Sequence, residues 1–251
     1  PIYLSEAYQS KLDLPAQAFS YACDAFSVDA NDGRVRALLE QITQANHLYE
    51  ELAGFYAGRV DGFEDRELAH LVRHRLADIY EVELKNEQAA INVHMKIIEF
   101  SPSDQESLGA LERLYQEIGS FSELAEVYER RISQAESDES RVALMRELAR
   151  IRADLLHETS EAIEALGDLL AISPADVAAL KRLALLHEQN ADMGSAEATL
   201  EDLRTACGDN LDERLLANLE LARIRIDHLA KPVDALILLN ENVETEPDHD
   251  P

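Results

Sequence analysis

His70 and His74 stand four residues apart, so on a helix their imidazoles share one face, the arrangement that helical zinc sites use. Glu67, one turn earlier, adds an oxygen donor to that face. The stretch reads HLVRH, however, with Leu71 where a metalloprotease helix carries its glutamate base, so this is no zincin centre. No distal third ligand is marked in the sequence. Val72, Leu76 and Ile79 form an apolar stripe, and both histidines are expected on the opposite, solvated face, without a metal.

Other catalytic chemistry is equally unsupported. There is no GxSxG elbow or Gly-rich phosphate loop, and neither cysteine carries a nucleophile signature. Asp and Glu number 50, too many for any one pair to stand out as a dyad. His47, His94, His157, His187, His228 and His249 share no spacing. The expectation is a protein that is not an enzyme and takes no cofactor.

Cations are more informative because they recur. Measured from the stripe Leu144, Leu148 and Ile151, Arg146 and Arg150 lie about 200° to 240° round a helix, away from the packed side. Arg223 falls at the equivalent place further on, and Arg113 and Lys181 occupy it in the intervening segments. Together they predict a basic strip able to receive an acidic peptide or a terminal carboxylate. Against that stands ordinary pairing, since Asp154 and Asp227 follow Arg150 and Arg223 by four residues. Gln41, His74 and Asp78 hold the earlier equivalents, confining any strip to the C-terminal two thirds.

These positions recur because the chain itself does. ELARIR is spelled at 147–152 and again at 220–225. Residues 75–104 align without gaps on 147–176, placing Leu76 on Leu148, Ala77 on Ala149, Ile79 on Ile151 and Pro102 on Pro174, and Leu221, Ala222, Ile224 and Pro247 continue the register. Leu4, Tyr8, Leu12 and Ala18 fit the same unit upstream. A second unit type alternates with it, in which Glu51-Leu52-Ala53 with Tyr56 and Arg59 matches Glu123-Leu124-Ala125 with Tyr128 and Arg131. The period is therefore about 36 residues within a double unit of about 72.

Each unit shows an apolar helical stripe, a short polar break and a second stripe, which is a helix hairpin. Seven hairpins are expected, over about 1–31, 32–63, 64–103, 104–137, 138–175, 176–210 and 211–251, as one continuous array. Turns are expected near Asp13, Asp32, Gly62, Asn86, Gly119, Glu158, Ala191 and Lys231, with Asp104 and Asp176 capping the helices that follow SPSD and SPAD. Tyr80, Tyr115, Tyr128, Phe55 and Tyr56 recur at repeat positions and read as packing between helices, while the tail ENVETEPDHDP reads as a solvated exit. The chain opens inside a repeat without Met and closes after Pro247, which reads as a segment of a longer array, with further repeats as neighbours.

The period and the set Leu76-Ala77, Tyr80, Ala90 and Pro102, with Leu111 and Tyr115, resemble the tetratricopeptide repeat (TPR) family in a degenerate form. The family's first-helix Trp is absent, and Arg152 and Arg225 stand where Tyr80 stands. The resemblance implies an all-α, right-handed superhelix of helix hairpins that binds a partner peptide or helix in a concave groove lined by the first helix of each hairpin.

Composition bounds the partners. A formal charge of −27 disfavours nucleic acid and anionic membranes, which draw their affinity from clustered Lys and Arg. No apolar run is long enough to span a bilayer. Cys23 and Cys207 are expected as free thiols, which fits a reducing compartment such as the cytoplasm. The sequence thus points to a non-catalytic protein-interaction scaffold, with a structural spacer or self-assembly segment lacking a groove ligand as the alternative, and a metal-dependent enzyme as a remote third.

Overall fold

The structure, a computed structural model, describes Tyr3, Ser5 and residues 14–245. Among them are thirteen α-helices and no strand. The chain clusters into two compact units, Pro1–Glu117 and Ile118–Pro251. The first contains α1 (Pro15–Val28), α2 (Gly33–Asn46), α3 (Tyr49–Ala57), α4 (Arg66–Asp78), α5 (Glu87–Phe100) and α6 (Gln105–Ile118, its last residue opening the second unit). The second contains α7 (Phe121–Gln134), α8 (Asp138–Arg150), α9 (Thr159–Ile172), α10 (Val177–Gln189), α11 (Met193–Ala206), α12 (Leu211–Asp227) and α13 (Pro232–Thr245). Successive helices pack on one another throughout the second unit, and α1 packs on α2 and α4 on α5 in the first.

Helix starts follow the short polar residues. Asp104 accepts a hydrogen bond from the Ser107 amide at 2.8 Å and Asp176 from the Ala179 amide at 2.9 Å, as the repeated SPSD and SPAD predict. Asp32, Asp65, Asn86, Ser137, Asp192 and Asn210 cap their helices in the same way. The expected turns at Asp32, Gly62, Asn86, Gly119, Glu158, Ala191 and Lys231 are present, Gly119 with the positive φ of 73° that its residue type tolerates best. The turn between α2 and α3 at His47, which is left-handed at φ 56°, was not among those expected. The turn near Asp13, Leu4, Tyr8, Leu12, Pro247, His249 and the end of the acidic tail lie outside the described residues.

A repeated ending went unforeseen. α4 and α8 run on into single π-helical turns, Ile79–Glu83 and Ile151–Leu155, at matching repeat positions. Each closes with a left-handed residue, Lys85 or His157, and Ala230 takes the same place in the third copy. The wide turn lets Leu84 and Asn86 donate to the carbonyls of Ile79 and Tyr80 at 2.9 and 2.7 Å, satisfying acceptors that a plain helix end leaves to solvent. Leu156 and Glu158, then Leu229 and Lys231, repeat the pattern.

Burial explains the repeated hexapeptide. Leu148, Ala149 and Ile151 are buried, as are Leu221, Ala222 and Ile224. The final arginine ties its helix back to the one before it: Arg152 pairs with Glu129 of α7, and Arg225 with Glu197 at 2.8 Å and with Glu201, both on α11. Tyr80, at the corresponding place in the first unit, packs on the apolar core instead. That core gathers Phe26, Leu39, Ile42, Leu52, Ile79 and Ile97, with Phe55 edge-on to Phe26 at 5.5 Å. Tyr56, Tyr115 and Tyr128 are buried, as packing residues should be. Both cysteines are free, and burial pushes the Cys23 thiol up to about 12, where it is inert.

Candidate functional site

Every cation of the predicted strip is half-exposed and engaged with a carboxylate. In the first unit Arg113 bonds Glu81 at 2.7 Å, an arrangement that raises the guanidinium's pKa further. In the second, Arg146 reaches Asp176 at 2.5 Å, Arg150 bonds Glu147 at 2.9 Å and Lys181 pairs with Glu213. Arg223 bridges Glu188 at 2.6 Å and Glu220 at 2.9 Å, with Glu188 the main cause of its raised pKa. The i+4 partners expected for Arg150 and Arg223 are not the ones used. Glu147 and Glu220, three residues back, take their place, and Asp154 pairs with Arg182 of α10.

Two of these cations, Lys181 and Arg223, border a cleft of about 420 Å³ between α10, α11 and α12. Its lining is mainly apolar: Ala184, Leu185, Leu200, Leu203, Leu216 and Ala217 among others. Leu185 is 43% exposed and Leu216 53%, while their neighbours Leu186 and Leu215 are buried. The sequence cause is a pair of leucine doublets, 185–186 and 215–216, which put more apolar residues on each helix than one core stripe absorbs. That doublet signal was visible in the sequence and was missed. With Glu188, Glu213 and Glu220 beside only two cations, the rim carries no net positive charge. The chemistry on offer is apolar burial flanked by exchangeable ion pairs.

The expectation for His70 and His74 is corrected. They do not lie free on a solvated face: His74 is only 16% exposed, and both rings turn toward Asp104, thirty-odd residues away at the start of α6, each with Nε2 at 3.2 Å from Oδ2. A distal third group therefore exists, brought in by packing; Glu67, the oxygen donor considered earlier, is exposed.

No protein-family model matches the chain, and no curated protein sequence does. Solved structures do. A chain of the Naa15/Naa10 structure bound to HypK-THB superposes with a TM-score of 0.56 at 15% identity, over 98% of this chain and 36% of that one. The C-terminal part of a TPR repeat-containing protein from Cytophaga hutchinsonii gives 0.46 at 15% identity over 99% and 96%. YrrB, a TPR protein with an unusual peptide-binding site, gives 0.44 at 12% over 77% and 93%. At these identities the likeness is one of fold alone: the described residues are all-α, their helices packed in successive pairs.

Proposed function

We propose that this TPR-like array is a non-catalytic protein-interaction scaffold which seats a peptide or helical segment of a partner in the cleft between α10 and α12. The carrying observation is the pair of half-exposed leucines, Leu185 and Leu216, over an apolar floor in a preformed cleft. About 420 Å³ accommodates one or two large apolar side chains, and helices already held by the core lose little further freedom when the partner arrives. An acidic group next to that anchor takes over Lys181 and Arg223 from their glutamates. Trading one carboxylate for another adds little affinity, but it fixes register.

Selection of a random peptide library on the purified chain tests this. Recovered peptides should share an apolar anchor, and Leu216→Asp should abolish their binding while helical circular dichroism is unchanged. Charge reversal at Lys181 and Arg223 should remove only a preference for neighbouring acidic residues. Peptides indifferent to Leu216→Asp would dispose of the cleft as the binding site.

A second reading has its own observation. α13 buries Ala235 and Leu238 but leaves Val233, Leu236, Ile237 and Val243 exposed along the opposite face. Scattered exposed apolar residues are ordinary, whereas four on one face want a cover. In this reading a further hairpin or a second copy stacks there, and the array serves as a spacer. Sedimentation of the chain should then show concentration-dependent association that Ile237→Glu removes. A strict monomer at every concentration rejects the self-stacking form.

A further inference from the structure

At the start of α6 two histidines of α4 converge on one carboxylate oxygen. Asp104 uses Oδ1 to cap α6, accepting the Ser107 amide at 2.8 Å, which leaves Oδ2 for the two histidines of α4. The rings of His70 and His74 lie 4.5 Å apart between centroids, and both Nε2 atoms stand 3.2 Å from that one oxygen. Charge-assisted N–H···O⁻ bonds are shorter, about 2.7–2.9 Å. A tetrahedral ion with bonds of about 2.0–2.1 Å to nitrogen and oxygen sets its ligands about 3.3 Å apart. The donor atoms of all three residues lie within 4.8 Å of one another, so modest ring rotation closes the set around one centre.

What surrounds the cluster fits the same purpose. The Nδ1 atom of His74 is buried with no hydrogen-bond partner, and Glu106 Oε1 stands 3.7 Å from it, where an outer carboxylate orients a ligating imidazole. Ser107, whose amide anchors Asp104, is itself held by His94 Nδ1 at 3.1 Å.

We propose that His70, His74 and Asp104 bind a divalent transition-metal ion, with zinc as the ion their two-nitrogen, one-oxygen donor set suits best. The ion joins α4 of one hairpin to α6 of the next, and a water completes its coordination on the side of His70, which is 41% exposed. Held by residues of both helices, the ion ties the two hairpins together.

Cobalt titration of the EDTA-stripped full chain is the test. Co²⁺ should develop the visible absorption of a tetrahedral centre, saturating at one equivalent, and Zn²⁺ should displace it and raise the thermal midpoint. His70→Ala and Asp104→Asn should each weaken binding by roughly tenfold or more. Asn is itself a good cap, so Asp104→Asn keeps α6 started, and His70 is exposed enough that its loss should spare the fold. Absence of saturable Co²⁺ absorption in the wild type, or saturation that both variants retain, would overturn the proposal.

Discussion

Leu221→Ala should lower the stability of the chain by about 2–5 kcal/mol, the range for truncating a fully buried leucine whose surroundings cannot collapse into the gap. Leu221 has no exposed surface and sits in the core shared by α11, α12 and α13, with Leu200, Leu203, Ile224 and Leu238. The cavity therefore opens between hairpins and not within one loop. In a repeat array stability is close to a sum of nearest-neighbour terms, so the damage should be local. Amides of α12 and α13 should lose hydrogen-exchange protection before those of α7 and α8. Urea unfolding followed by circular dichroism measures the size of the effect, and exchange locates it. A uniform loss of protection across the second unit would contradict nearest-neighbour behaviour.

Arg225→Ala is the second large effect. Arg225 is 13% exposed and Glu197 14%, and their 2.8 Å bond links α12 to α11, with Lys231 on the same carboxylate at 2.6 Å. Losing a well-shielded hydrogen bond to a charged group costs about 1.5–3 kcal/mol. The arm to Glu201 contributes less, because that carboxylate is half-exposed and screened by water. Lys231 and Arg225 hold the Glu197 carboxyl below its ordinary value. Its folded pKa thus lies under the unfolded one of about 4.3, so the stabilisation is complete above that pH and is lost as pH falls through the folded value. Urea midpoints of wild type and Arg225→Ala should differ most at neutral pH and converge in acid. An equal gap at both would assign the cost to packing of the arginine stem instead of charge.

The local half of the design was legible. Leu76, Leu148 and Leu221, with the alanine and isoleucine that follow each, are buried in register, as the repeat implies, and Asp104 and Asp176 start helices where SPSD and SPAD place them. Such features depend on residues within one or two turns, whose spacing the chain writes down directly. The π turns at Ile79–Glu83 and Ile151–Leu155 were not legible, since no residue type marks them: the left-handed position that closes each holds His157 in one copy, a residue that tolerates positive φ, but Lys85 and Ala230 in the others, which do not favour it.

The candidate sites divide along the same line. From its order of residues alone the chain determined that it would be a run of helix hairpins, that Lys181 and Arg223 would sit at equivalent places, and that His70 and His74 would share a face. Tertiary packing alone decided that Glu188 and Glu213 would meet those cations, that α10 and α12 would leave Leu185 and Leu216 open over a cleft, and that Asp104 would arrive between two histidines of another helix. The physical reason is distance along the chain. Helical periodicity places a side chain on a face, but which partner meets that face depends on how neighbouring hairpins bury their apolar stripes, and that is settled only when they pack.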